Sequence, residues 1–327
     1  MTLTQLRYLV AIADADLNIT LAAARVHATQ PGLSKQLKQL EDELGFLLFS
    51  RRGRSLGAVT EAGAEIIAHA RTVLAETNNI RSVAANRRRE RRGRLGVATT
   101  HTQASFVLPP AIAQVRRAFP LINVHLQPVP EDALLDLLRA GRADLAIIST
   151  AGSVPVGGVA VPLYRWRRKV VVPTGHALDR PGPSPGLRTL AEHPLISYES
   201  SNNDDSSLRG AFAAEALEPT FSLTAIDADV IKTYVRRGFG VGLLAEMALT
   251  AADTDLRVMD APADIPECIT WALLPRESVL RDYTVELVHA MAPQVDGREL
   301  RAVMEGNREA AWNTPPTWQE LTQTITV

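Results

Sequence analysis

The stretch Ala22-Ala-Ala-Arg-Val-His-Ala-Thr-Gln-Pro-Gly-Leu-Ser-Lys-Gln-Leu-Lys-Gln-Leu-Glu41 decides the fold. Its small residues Ala22, Ala23 and Ala24 allow one helix to cross another closely, and His27–Thr29 supply a short turn. A second helix then buries Leu33, Leu37 and Leu40 while Gln30, Ser34, Lys35 and Lys38 share the other side. Pro31 falls in the first turn of that helix, where a missing N–H costs nothing, and Gly45 ends it. Gln and Lys side chains reach the acceptors on base edges in a DNA major groove. Ser34 is short enough to sit against a phosphate or a base. The same spacing also fits a plain helical hairpin with a polar outer face, so the stretch alone leaves two readings open.

The flanking sequence extends the pattern. Upstream, Leu3, Leu6, Leu9, Val10 and Ala13 form an apolar stripe at helical spacing, and Thr20 is placed to cap the short helix that follows. Downstream, Phe49–Val59 has apolar ends around a basic, glycine-containing middle, which predicts a two-stranded hairpin with a cationic tip. A long helix is expected from Thr60 to Arg88. Along it Ile66, Ala70, Val73, Thr77, Ile80 and Ala84 recur at alternating spacings of four and three. Such a heptad seam pairs with a copy of itself or lies on its own domain. The run Arg87-Arg-Arg-Glu-Arg-Arg-Gly-Arg94 closes the segment as a charged hinge.

From Leu95 onward strands and helices alternate. Strands are expected at Leu95–Thr99, Val124–Gln127, Leu145–Ser149, Val170–Val172, Leu195–Ser197, Gly242–Leu244 and Thr270–Leu274. Helices are expected at Ser105–Phe119, Glu131–Ala140, Ser206–Ala216, Ala228–Arg237 and Tyr283–Met291. This order predicts α/β layers around mostly parallel sheets, with a ligand cleft between two lobes. The tail from Asn313 reads as loosely attached.

Charge separates the same two regions. The 327 residues carry 35 Lys and Arg against 36 Asp and Glu, which looks neutral. Residues 1–94 hold 15 basic and 9 acidic residues, leaving 20 and 27 for the remainder. A basic head on an acidic body suits a polyanion-binding module joined to one that does not bind nucleic acid. The one cysteine, Cys268, excludes an internal disulfide and a Cys-rich metal site, and its strand-like surroundings make it a packing residue. With no leader-like or membrane-spanning apolar run, a soluble cytoplasmic protein without membrane contact is expected.

Several short runs then become recognisable. Leu6-Arg-Tyr-Leu9, Ala22-Ala-Ala24, Thr29-Gln-Pro-Gly-Leu-Ser34, Leu40-Glu-Asp-Glu-Leu-Gly45, Leu48-Phe-Ser-Arg51 and Thr60-Glu-Ala-Gly63 resemble the LysR-type transcription regulators in order and spacing. The resemblance implies an α+β chain. Its parts are an N-terminal winged helix-turn-helix, a long linker helix, and a C-terminal two-lobed α/β effector domain of the periplasmic-binding-protein kind. Promoter DNA is then one partner, and a second copy joins through the linker helix, with a dimer of dimers as the implied assembly. Gln30, Pro31, Ser34 and Lys35 would face the bases, with Lys38 beside them, and Arg51, Arg52 and Arg54 would form a wing against phosphates. The expected boundaries are 1–59 for the DNA-binding domain, 60–92 for the linker helix and hinge, 93–295 for the effector domain and 296–327 for a helical extension and tail. Within the effector domain, lobe I covers about 93–163 and 267–295, and lobe II about 164–266.

Ala98-Thr-Thr-His-Thr-Gln103, Asp227-Ala-Asp-Val-Ile-Lys-Thr-Tyr-Val-Arg236 and Gly238-Phe-Gly-Val-Gly242 look like the CysB subgroup of that family. Tyr164-Arg-Trp166 and Leu280-Arg-Asp-Tyr283 fall in place as well. The likeness implies control of sulfur assimilation or organosulfur use, usually by activation, through an acetylserine-type inducer, sulfate or thiosulfate. A LysR-type regulator of an unrelated metabolite is the alternative. Independently of the family, a strand ending at Thr99 followed by Thr100, His101, Thr102 and Gln103 at a helix start makes a place for an anion or carboxylate. Simple capping of that helix by Thr102 would explain one threonine but not the whole polar run.

By resemblance Thr100, Thr102, Gln103 and Ser149 line the pocket with Trp166, while His101 turns into packing. The opposing loop, Glu199-Ser-Ser-Asn-Asn-Asp-Asp-Ser-Ser207, departs from the subgroup. Asn203 stands at a threonine's place and Asp205 at an arginine's. A carboxylate there is unfavourable to a dianion unless Asp204 and Asp205 instead face solvent and cap the next helix. An effector with an amine or hydroxyl suits the acidic loop better than plain sulfate. No Gly-x-Ser-x-Gly, P-loop or metal-spaced His/Cys cluster occurs, so neither an enzyme nor a cofactor or metal is expected.

Overall fold

The computed structural model describes residues 1–53 and 55–325, and divides into two compact units at Arg89/Glu90. In the first unit, helices α1 (Leu3–Ala13), α2 (Ile19–Arg25) and α3 (Gln30–Leu44) precede strands β1 (Phe49–Arg52) and β2 (Ser55–Val59) and helix α4 (Glu61–Arg87). Local chemistry sets the helix starts. Thr2 and Gln5 form a reciprocal capping box at α1, Thr29 accepts from the Gly32 amide at α3, and Thr60 accepts from the Gly63 amide at α4. The cap of α2 is Asn18 rather than the expected Thr20. The Asn18 amide oxygen accepts from the Leu21 N–H, which draws the helix start forward to Ile19. Gly45 ends α3 in the left-handed conformation at φ +83°, as its position predicted.

Leu6, Leu9, Ile12, Ala22, Leu33, Leu37, Leu40, Leu48 and Phe49 fill one core under these helices. The first turns of α4 close that core with Ile67 and Ala70, while Arg71 pairs with Asp14 below the end of α1. Gly63 is required here, because a Cβ on it would lie 2.0 Å from the Leu48 carbonyl oxygen. Farther along α4 the seam is bare, with Val73 42% and Ile80 64% exposed.

The second unit contains two five-stranded sheets. Its elements are β3 (Arg92–Thr99), α5 (Leu108–Ala118), β4 (Leu121–Pro128), α6 (Leu134–Arg139), β5 (Leu145–Thr150), β6 (Val159–Trp166), β7 (Arg168–Pro173), α7 (Leu187–Ala191), β8 (Leu195–Tyr198), α8 (Ser207–Ala214), β9 (Phe221–Ala225), α9 (Ala228–Arg236), β10 (Val241–Ala245), β11 (Leu256–Asp260), β12 (Cys268–Leu274), α10 (Asp282–Met291), α11 (Gly297–Met304) and α12 (Trp318–Ile325). Lobe I has strand order β4-β3-β5-β12-β6 and lobe II has β11-β7-β10-β8-β9. The chain crosses between the lobes twice, at Arg167 and between β11 and β12.

Three expectations need correction. The sheets are mixed rather than mostly parallel: in each, two strand pairs are parallel and two antiparallel. The first strand after each crossing, β7 in lobe II and β12 in lobe I, runs against both of its neighbours. The hinge is shorter than the arginine run suggested, because β3 begins at Arg92 and pairs in register with β4 from Leu121. Tyr283 fixes this start by donating its hydroxyl to the Arg94 carbonyl at 3.0 Å.

The tail is docked, not loose. The Arg165 backbone N–H donates to the Pro316 carbonyl, its Nε to the Pro315 carbonyl, and Trp312 Nε1 to the Ala160 carbonyl at 2.8 Å. Leu321 is buried in the lobe I core, and the Trp318 ring lies 5.3 Å from that of Tyr164. Two aromatic side chains in a nominally polar tail supply the apolar area that anchors it. Among the described residues no helix is long and apolar enough to cross a membrane.

Candidate functional site

Two surfaces bring together the residues singled out by the sequence. On the first unit, α3 exposes Gln30, Pro31, Lys35 and Lys38, with Ser34 half-buried between them and Leu33, Leu37 and Leu40 turned into the core. The three-to-four residue spacing of α3 therefore places cationic and amide groups on one outward face. Arg52 is exposed on β1, next to the turn at Gly53 (φ +64°). Arg51 is held differently. Its guanidinium donates to the carboxylate of Glu41 at 2.8 Å, and Glu41 is buried and also accepts the Leu48 amide at 2.9 Å. Arg51 thus neutralises an interior carboxylate while keeping 43% of its side chain exposed. Arg54 lies outside the described residues.

On the second unit, a cleft of about 550 Å³ opens between the lobes. Thr100, Thr102, Gln103, Ser149, Trp166 and Asn203 all line it. They converge because β3, β5, β8, β9 and β10 point their carboxyl ends at the same space, the usual location of ligands on α/β sheets. His101 lies elsewhere, in a separate recess with Ser105, Phe106 and Asp227.

The cleft floor is a continuous hydrogen-bond network. Register sets Ser149 of β5 opposite Thr270 of β12, and their hydroxyls lie 2.9 Å apart. Thr270 Oγ1 also accepts from Trp166 Nε1 at 3.1 Å and from Gln103 Nε2 at 3.5 Å, while Tyr164 donates its hydroxyl to Gln103 Oε1. Gln103 is therefore oriented by buried neighbours on both ends of its amide. Thr102 does not cap its helix. Its hydroxyl crosses to lobe II and donates to Tyr198 Oη at 3.3 Å, and Tyr198 Oη also accepts the Ala245 amide at 3.2 Å. Burial raises the Tyr198 phenol above its ordinary range, so it stays neutral.

The acidic loop divides. Asp205 lines the cleft, whereas the cap position of α8 is taken by Ser206, which makes no side-chain capping bond. Sequence reasoning missed Tyr198, Arg168 and Glu131. Arg168, the first residue of β7, donates to Ser207 Oγ at 3.2 Å and lies with its guanidinium carbon 5.8 Å from the Trp166 ring. In the sequence it is one of three arginines around Trp166, and nothing there shows which turns inward. Glu131 follows the carboxyl end of β4, a position the sheet rule could have flagged. Burial pushes its carboxyl up to about 7, with Arg168 opposing the shift and Asp205 and Asp132 adding to it.

These two surfaces match two family models. Residues 3–64 match the bacterial regulatory helix-turn-helix protein of the lysR family, and residues 88–295 match the LysR substrate binding domain. The chain belongs to the LysR family of transcription regulators. It is 38% identical over 295 residues to the transcriptional regulator CysB of Haemophilus influenzae, covering 90% of this chain and 91% of that protein. It is 36% identical to the regulator SsuR of Burkholderia cenocepacia, covering 93% and 99% of the two chains. The solved cofactor-binding domain of the Cbl transcriptional regulator superposes at TM-score 0.61 with 30% identity, covering 66% of this chain and 95% of that one. The outward face of α3 is thus part of a DNA-binding helix-turn-helix, and the cleft belongs to an effector-binding domain rather than an enzyme. A winged helix-turn-helix followed by a two-lobed α/β domain is the fold expected from the sequence.

Proposed function

We infer that this LysR-type regulator controls genes of sulfur assimilation or organosulfur use, as an activator, from the cytoplasm. Its effector is an acetylserine-type inducer, sulfate or thiosulfate bound in the interlobe cleft by Thr100, Thr102, Gln103, Ser149, Trp166 and Asn203. The convergence of all six on one cavity carries this reading. Its regulatory context rests on the identities of 33–38% to the CysB and SsuR proteins over most of the chain.

On DNA, Gln30, Pro31, Ser34, Lys35 and Lys38 meet bases and nearby phosphates, and Arg51, Arg52 and Arg54 form the wing. The working parts are 1–59, 60–92, 93–295 and 296–327. The exposed seam of α4, with Val73 and Ile80 uncovered, supports pairing with a second copy, and pairs assemble as a dimer of dimers. Two recognition helices then address paired half-sites.

The test is a mobility shift on the chain's own upstream DNA at two salt concentrations, with acetylserine, sulfate and thiosulfate added in turn. Specific, salt-sensitive binding altered by one of these compounds is expected. Absence of specific binding would defeat the regulator reading. Binding that none of the three compounds alters would remove the effector class.

A further inference from the structure

Charge in the cleft is distributed unevenly. Among the described residues Arg168 is the lone cation lining it, against Glu131, Asp132, Glu199 and Asp205. Arg168 is also incompletely used. Its terminal nitrogens reach only Ser207 Oγ at 3.2 Å and Cys268 Sγ at 3.6 Å, and its buried Nε has no partner among the described residues. Among those residues no carboxylate pairs with it within 4.0 Å. Glu131 likewise makes no ion pair and no side-chain hydrogen bond among the described residues. The cavity therefore holds an under-coordinated guanidinium and an under-coordinated carboxyl group facing the same space, with Asp205 adding negative charge from lobe II.

A simple dianion suits only half of this arrangement. The guanidinium fork matches a carboxylate or sulfate oxygen pair, but the carboxylates around it oppose a second negative charge. A ligand with separated opposite charges satisfies both halves. We propose that the cleft takes a small zwitterionic amino acid bearing a free ammonium group. Arg168 and the Thr100 hydroxyl hold its carboxylate, and Glu131 with Asp205 faces its ammonium. This proposal rests on the cleft being the effector site and narrows the effector to molecules whose amine is not acylated.

The arrangement also makes binding depend on pH. Glu131 is pushed up to about 7 by burial, and the charged groups acting on it are Arg168 of β7, Asp205 of the loop before α8 and its own neighbour Asp132. An ammonium pairs with the ionised carboxyl, so affinity rises as pH increases through 7. A plain anion behaves oppositely, losing affinity as the same carboxyl ionises.

Calorimetry on the full chain at pH 6 and pH 8 tests this with three probes. These are 3-acetamidoalanine, which keeps a free ammonium and cannot rearrange by acyl migration, N-acetylserine, whose amine is blocked, and sulfate. We expect 3-acetamidoalanine to bind at least tenfold more tightly than the other two at pH 8, and more tightly at pH 8 than at pH 6. The double variant Glu131→Gln, Asp205→Asn should erase both differences. Both replacements are isosteric, and a thermal melt verifies that the variant folds. N-acetylserine or sulfate binding as tightly as 3-acetamidoalanine overturns the proposal and leaves the effector assignment standing, as does a preference that survives in the double variant. Silence from all three probes overturns both.

Discussion

Thr102 of lobe I donates a hydrogen bond to Tyr198 of lobe II at 3.3 Å, and through that phenol oxygen reaches the Ala245 amide. The two lobes are joined at the mouth of β3 by a bond lying in the interlobe cleft itself. Tyr198→Phe removes the acceptor for both donors while preserving the ring. The loss should cost about 1–3 kcal/mol, since two donors in a buried setting lose their partner. Chemical denaturation should show the loss, and effector affinity should move several-fold. An unchanged affinity would mean that the lobes do not communicate through this bond.

Gly63→Ala tests the joint between the wing and the long helix. The new methyl would meet the Leu48 carbonyl oxygen at 2.0 Å, so the strand start or the helix must shift. A destabilisation of about 1–3 kcal/mol is expected, as for overpacking generally. Gly210→Ala in α8 is the control, because a methyl added there would meet nothing within 4 Å and helix propensity favours alanine. The first variant should melt earlier than the parent and the second slightly later.

Acid stability should report on Asp253. Burial opposes its charge, but the Thr250 amide, Arg236 and Lys232 outweigh that and hold its carboxyl down at about 2. Lys232 is itself buried and lies 3.3 Å from Asp253. A depressed carboxyl stabilises the fold above the unfolded value near 3.8, and the contribution disappears as pH falls toward 2. The parent should lose about 2 kcal/mol over that window from this group. Asp253→Asn should show a correspondingly shallower acid limb, and a lower stability at neutral pH because buried Lys232 keeps only the exposed Asp229 as a carboxylate partner.

Trp318→Ala should loosen the cleft from behind. Trp318 covers Tyr164, Tyr164 holds Gln103, and Gln103 joins the network at Thr270. A loss of about 2–4 kcal/mol in stability is expected for a half-buried tryptophan, together with weaker effector binding and intact DNA binding. A variant that melts early yet binds effector normally would show the tail to be a purely structural strap.

Salt dependence separates the arginines of the wing. Arg52 is exposed and free to meet phosphate, whereas Arg51 is tied to the buried Glu41. Arg52→Ala should weaken DNA binding evenly across sequences and reduce the slope of log affinity against log salt by about 1. Arg51→Ala should in addition destabilise the first unit, because Glu41 would lose its counter-charge. Equal melting temperatures for the two variants would contradict this division.

Local patterns were legible wherever one element carries its own signal. The helix-turn-helix could be read because Leu33, Leu37 and Leu40 repeat at helical spacing and Pro31 and Gly45 mark the ends. Thr100, Thr102 and Gln103 were legible because they follow a strand at its carboxyl end, whereas Ser149 was legible only through the family resemblance. The reversed direction of β7 and β12 was not, since it depends on where the chain crosses between lobes. The docking of the tail was missed because Trp312 and Trp318 gain their partners, Ala160 and Tyr164, only from a strand about 150 residues away.

The sequence by itself therefore determined the family, the helix-turn-helix and the hydroxyl side of the cleft. Each of these is written in contiguous residues whose spacing and capping act over a few turns. The tertiary structure alone decided the cleft's charge. Arg168, Glu131, Asp205 and Tyr198 come from four separate elements in two lobes, and only the folded sheets bring them to one space. Side chains distant along the chain acquire shared electrostatics through proximity and burial, neither of which periodicity encodes.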